Sequence, residues 1–306
     1  MRRRIILMGG KTHVISLPLK WIKKYEIKKG QELELEEKEN SILVSTESKP
    51  RLKEISLNLT NTDTGTIIKS IVTCYQRGYN SLKITFDKTT INHKTKKEEN
   101  TQRIIENTCS QLIGFEITDQ NENTIQIKDI TSNSINEFKN ILRRTFLMLN
   151  TFGQESHNFL KNGETEENLH EKHINIRKYT NYCQRFLNIF GFEDKTLQYT
   201  EILFNIEEIS RTYRFITKNQ PKLKKESLQL LKRTIELQDE FYKLFYKFNT
   251  TKSSELIKRR LELFQDINTF TQKAKKDDII FMQRLPNILN ALLSLTETTI
   301  SINFEC

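Results

Sequence analysis

The stretch Gly9-Gly10-Lys11-Thr12-His13-Val14-Ile15-Ser16-Leu17-Pro18 decides how this chain is read. Paired glycines mark a turn, and the residues from Thr12 onward alternate and favour β structure. Ahead of the glycines, Arg4-Ile5-Ile6-Leu7 is a short apolar strand that the turn folds back against its successor. Pro18 stops the second strand and suits the first turn of a helix. The pattern predicts that helix over residues 19–25, with Trp21 and Ile22 inward and Lys20, Lys23 and Lys24 outward. Lys28-Lys29-Gly30 closes it. Residues 31–36 alternate Leu33 and Leu35 with glutamates, Lys38-Glu39-Asn40 turns, and residues 41–44 return as a partner strand. The order is strand, strand, short helix, strand, strand. Below ~70–80 residues a single core supplies little net stability, so this piece is expected to pair with a second copy.

Charge separates along the same stretch. Residues 1–29 carry nine Lys and Arg against Glu26 alone, whereas residues 30–49 carry six glutamates against Lys38 and Lys49. A basic front and an acidic back on one small module fit a reader of a polyanion. The whole chain of 306 residues has a formal charge of +10, and its 9 Gly and 4 Pro are too few for long disordered tracts and favour helices. Cys74, Cys109, Cys183 and Cys306 stand apart without a CxxC pair, which reads as free thiols in a reducing compartment. No apolar run approaches the ~20 residues that span a bilayer. The most apolar stretch, residues 278–304, is interrupted by Arg284, Pro286 and Glu297. Met1-Arg2-Arg3-Arg4-Ile5 leads into no long apolar region, so no signal peptide is read there. The expectation is a cytoplasmic protein without membrane insertion.

Beyond the first module the fold class reads as α+β. Residues 50–130 alternate between strand and helix patterns. Residues 52–59, 81–86, 113–117 and 124–127 read as strands. Ile67, Ile68, Ile71, Val72 and Tyr75 recur at helical spacing up to Gly78, and Ile104, Ile105, Thr108, Cys109 and Leu112 form a second helical stripe. Residues 88–97 are basic and read as a solvated loop. Residues 131–306 are helical throughout. Six helices are expected, three before the stop at Asn219-Gln220-Pro221 and three after it, the last over residues 277–304. This spacing divides the region into repeats at about 131–219 and 222–306, an internal duplication.

The residues quoted from Gly9 to Pro18, with Trp21-Ile22 and Ile27-Lys28-Lys29-Gly30-Gln31-Glu32-Leu33, resemble the AbrB/SpoVT/MazE swapped-hairpin DNA-binding domain. The archaeal form placed ahead of a PhoU-like domain is the nearest likeness. The resemblance covers residues 3–46 and implies a domain over 1–48 in which two chains interleave hairpins into one β-barrel. It implies double-stranded DNA as partner and a homodimer through this domain. Carried over, Arg4, Lys11, Lys20, Lys23 and Lys24 are the implied contacts, with His13 beside the turn. Arg2, Arg3 and Arg4 are the candidates for base readout, since Lys–phosphate contacts carry affinity without sequence choice. Tyr75-Gln76-Arg77-Gly78-Tyr79 and residues 112–117 resemble the middle region of the same archaeal proteins.

The helical layout resembles PhoU, the phosphate-uptake regulator, as a pair of three-helix bundles. Glu207-Glu208-Ile209-Ser210-Arg211 and Leu295-Thr296-Glu297 fall where that family carries metal motifs, but Arg211 stands where an Asp belongs, and a cation opposes metal binding. Glu207 and Glu297 would be ligands, with Glu262 and Asp266 four apart on one helix face as additions. The competing reading is of solvated helix charges, so no cofactor is assigned beyond a metal candidate. His170 and His173, three apart beside Glu166 and Glu167, are a further metal candidate, but a lone pair on a charged helix reads first as surface. Phe241, Tyr242, Phe245, Tyr246 and Phe248 read as bundle core before they read as a base-stacking face. No nucleophile elbow, HExxH or phosphate loop appears, which points away from an enzyme. The expected function is a DNA-binding transcriptional regulator tied to phosphate homeostasis, its helical domain sensing or meeting a phosphate transporter or signalling protein. The alternative is a PhoU-type adaptor whose first module only dimerises it.

Overall fold

A computed structural model describes residues 2–38, 41–46, 53–131, 135–163, 167–192, 194–218, 223–274 and 276–304. The expected turn at Glu39-Asn40, the stop at Asn219-Gln220-Pro221, Glu166 and Cys306 lie outside the described residues. The chain divides into two compact units, Met1–Leu52 and Lys53–Cys306.

In the first unit, β1 (Ile6–Met8) pairs antiparallel with β2 (Thr12–Val14), setting Leu7 opposite His13. Gly9 and Gly10 make the turn with φ of +60° and +75°, a region glycine enters without steric cost. The short helix α1 (Leu19–Lys24) opens on the carbonyl of Pro18, which accepts from the amides of Trp21 and Ile22. β3 (Leu33–Lys38) and β4 (Ser41–Thr46) form a second antiparallel hairpin. Among the described residues the two hairpins remain separate two-stranded sheets. None of the described side chains in this unit is buried. Trp21 and Ile22, expected inside, are only half-buried, because a single copy offers too little apolar mass to cover them.

The second unit begins with a mixed sheet of order β5 (Glu54–Asn58), β6 (Ser81–Thr85), β10 (Thr124–Asp129) and β9 (Phe115–Gln120). β5 runs parallel to β6, the crossover being α2 (Thr64–Gln76), and the remaining pairs are antiparallel. Asp63 caps α2 by accepting from the amides of Gly65 and Thr66. Residues 88–97 are not the expected loop: β7 (Thr89–Asn92) and β8 (Lys97–Asn100) form a hairpin leading into α3 (Thr101–Ser110). Its polar residues carry no apolar alternation, and its anchor is the buried Thr90, whose hydroxyl donates to the Thr62 carbonyl at 2.5 Å. Ile67, Ile71, Tyr75, Leu82, Ile84, Ile105, Ile125 and Ile127 form the core of this layer.

Among the described residues seven helices follow: α4 (Ile135–Asn162), α5 (Glu167–Phe190), α6 (Thr196–Thr217), α7 (Lys225–Tyr246), α8 (Thr250–Thr271), α9 (Lys276–Met282) and α10 (Leu285–Asn303). The expected single last helix is broken at Gln283-Arg284, and Pro286, which lacks an N–H, sits in the first turn of α10. α4, α5 and α6 pack on one another, as do α7, α8 and α10, and the two sets meet through α4–α7 and α6–α10. They share one continuous apolar core from Phe138 to Leu295. A buried polar chain crosses it: the Tyr213 hydroxyl donates to Gln238 at 2.7 Å, and the Gln238 amide donates to Asn150 at 2.8 Å. The sheet layer is fastened to α5 by the buried Arg185, which donates to the carbonyls of Tyr75 and Tyr79 and pairs with Asp129 at 2.5 Å. No helix among the described residues is long and apolar enough to cross a membrane.

Candidate nucleic-acid interface

The eight basic residues singled out in the sequence all lie in the first unit, and every one is exposed. Lys11 stands in the β1–β2 turn and His13 follows on β2. Arg2, Arg3 and Arg4 precede β1, at the open end of that hairpin. At ~3.3 Å per residue, the four residues from Met8 back to Arg4 separate the arginines from the turn by roughly 13 Å. Lys20, Lys23 and Lys24 lie three and four apart on α1, hence on one helix face. Trp21 and Tyr25 pack ring to ring beside them at 5.6 Å, and the Lys24 ammonium sits 5.2 Å from the Tyr25 ring. Glu26 at φ +53° ends the helix, with Ile27 donating back to the Ile22 carbonyl at 3.1 Å. Among the described residues none of the eight enters an ion pair. The seven Lys and Arg of this set thus keep their full charge available to a polyanion.

Lys28 and Lys29, absent from the implied contacts, belong with this set. Both are exposed next to Gly30, whose φ of +84° turns the chain. Their signal in the sequence was the KKG turn itself.

Apolar exposure is the second property of this unit. Ile5, Ile6, Leu7 and Met8 are all more than half exposed, as are Ile15, Leu19, Leu35 and Ile42. Since successive side chains of a strand point to opposite faces, β1 is apolar on both. Such a strand matches one that is covered on both sides.

The metal candidates fare differently. Among the described residues no three His, Cys, Asp or Glu side chains form a metal-holding group. Glu207 accepts from Thr180 at 2.9 Å and faces Arg177 and Arg211 at 4.0 and 3.9 Å, so cations occupy its surroundings. Asp266 pairs with Arg233 at 2.7 Å on another helix. Glu262 on α8 and Glu297 on α10 are exposed. The structure also corrects the reading of the histidines as a surface pair. His170 is exposed, but His173 is buried, its Nδ1 2.9 Å from the Ser210 hydroxyl. Burial, then the positive charges of Arg214, Arg177, His170 and Arg211, hold the His173 imidazole down to about 3. The three described cysteines are buried, and burial pushes the Cys109 thiol up to about 12, far from a reactive thiolate. The aromatic stripe of α7 divides: Phe241 is in the core, Phe146 packs against Phe245 at 5.0 Å, and Tyr246 reaches the surface.

No protein-family model, curated protein or solved structure matches this chain.

Proposed function

We propose that this chain is a homodimeric DNA-binding transcriptional regulator. Two copies pair through their first units as a swapped-hairpin barrel of the AbrB/SpoVT kind, covering Ile5–Met8, Leu35 and Ile42. The cationic turn, arm and α1 face then meet the phosphates of double-stranded DNA. The observation that carries this reading is the coincidence, in one small unit with no buried side chain among the described residues, of a strand apolar on both faces, β1, and eight exposed basic residues free of ion pairs among the described residues. Apolar strands supply the reason to pair, and unpaired cations supply the affinity.

The helical region serves in this reading as a PhoU-like sensory or partner-binding domain that links the regulator to phosphate homeostasis. That link rests on the resemblance of its two helix sets. Exposed apolar strands would equally support an adaptor in which the first unit dimerises and nothing more, and one experiment separates the two. In a band-shift assay at low salt, the full chain is expected to retard duplex DNA and to release it as salt rises. Changing Lys11, Lys23 and Lys24 together to Glu is expected to abolish the shift while light scattering still gives a dimer. Absence of any shift by the unaltered protein at low salt overturns the DNA reading in favour of the adaptor.

A further inference from the structure

A cavity of about 610 Å³ opens where α4, the C-terminal end of α7 and the first turns of α8 meet. It lies within the range of ~300–1,000 Å³ that small-molecule sites occupy. Its wall combines the rings of Tyr242 and Tyr246 and the side chains of Leu244 and Leu256 with five Lys and Arg against two carboxylates. Two of those cations are already engaged. Arg259 is held by both oxygens of Glu240, and Lys243 pairs with Asp239 at 2.6 Å. Arg143, Lys247 and Lys252 have no ion-pair partner among the described residues.

The sign of the cavity is set by these side chains. The end of α7 and the start of α8 present opposite partial charges at their shared turn, so the helix dipoles offset one another. Arg143 comes from α4 and its guanidinium sits 5.5 Å from the Tyr246 ring. Lys247 and Lys252 flank the α7–α8 turn from either side. Three cations from three elements therefore converge beside two tyrosine rings, one of which, Tyr246, remains 41% exposed. Burial, the largest influence on it, pushes the Tyr246 phenol upward, so it stays neutral and able to donate. Glu255, on the same wall, has no ion-pair partner among the described residues. It opposes a bare anion but accepts hydrogen bonds from sugar hydroxyls or an exocyclic amine.

We propose that this cavity binds a nucleotide, its phosphates on Arg143, Lys247 and Lys252 and its base against Tyr242 and Tyr246. Arginine matches phosphate with paired N–H donors, and aromatic rings stack bases of any sequence. A simple phosphate uses the cations and leaves the rings and Glu255 without a role. A hydrophobic ligand leaves the three exposed cations without a role. The site gives the helical domain a soluble ligand to sense, and it stands whether or not the first unit binds DNA.

Isothermal titration of the full chain with ADP, adenosine and pyrophosphate tests the assignment. ADP is expected to bind with an affinity roughly tenfold or more above that of either fragment, as expected when charge-assisted and stacking contacts act together. Arg143→Gln with Lys252→Gln is expected to weaken ADP by at least roughly tenfold. Tyr246→Leu is expected to weaken ADP and leave pyrophosphate unchanged. All three positions are exposed, so an unchanged melting temperature confirms that the variants fold. Three results overturn the proposal: no heat with ADP at millimolar concentration, ADP binding unmoved by the Arg143/Lys252 variant, or pyrophosphate binding as tightly as ADP. The Lys11/Lys23/Lys24→Glu variant is expected to bind ADP normally, which keeps this test separate from that of DNA binding.

Discussion

A buried ion pair and a buried histidine carry the sharpest expectations at the scale of single side chains. Arg185 is 1% exposed and Asp129 3%, and the pair fastens the sheet layer to α5. Asp129→Asn leaves a buried guanidinium without its counter-charge, and a loss of ~3–5 kcal/mol is expected in urea unfolding. An effect below about 1 kcal/mol, the size of an exposed pair, would contradict that reading of the contact. His173 sets a pH dependence. Its imidazole lies at about 3 in the folded chain against an ordinary 6.5, so the unfolded chain binds the extra proton. Stability from this group is therefore present above 6.5 and is lost as pH falls toward 3. His173→Asn is expected to flatten that part of the stability–pH curve relative to the parent, and an unchanged slope would show that the ring is not held neutral. Neither role was legible in the sequence. His173 sits three residues from an exposed histidine, and only the packing of α5 on α6 tells the two apart.

The same divide between local pattern and tertiary contact runs through the elements. Apolar periodicity located α2, α3 and the long helices because each buries a stripe against one core. It missed the β7–β8 hairpin, whose residues Lys97, Glu98, Glu99 and Asn100 carry no apolar signal. It also ran α9 and α10 together, since Pro286 in a first turn looks from sequence like an interruption that a helix absorbs. Gly153 shows how tertiary contact overrules propensity. Ala would gain up to ~1 kcal/mol in helix propensity over Gly. Yet a Cβ there would lie 2.8 Å from the Tyr213 hydroxyl and 3.0 Å from the adjoining ring carbon. Tyr213 is buried and hydrogen-bonded to Gln238, so it has little room to give. Gly153→Ala is expected to lower the melting temperature, and a rise would mean that α4 and α6 are not closely packed at this point.

At the scale of the molecule, the candidate interface was the most legible part of the chain and the cavity the least. Arg2 to Lys24 are neighbours in sequence, so turn chemistry and charge counting place them in one small unit. Arg143, Tyr246 and Lys252 come from three helices, and no periodicity in any one of them announces the others. The proposed pairing of first units is tested at its own seam: Ile6→Asp with Leu35→Asp places charge on strands that a dimer would cover. The double variant is expected to sediment as a monomer with its helical core intact by circular dichroism. A dimer of unchanged affinity would move the pairing surface elsewhere. The most direct test joins pairing to DNA contact in one number, the dependence of duplex binding on salt measured by fluorescence anisotropy. Each neutralised phosphate contributes ~0.9 to the log–log slope. A homodimer presents Lys11 twice, so Lys11→Gln is expected to reduce the slope by about 1.8. A slope identical to that of the unaltered protein, or no measurable binding by that protein at low salt, would contradict a paired cationic surface that holds DNA.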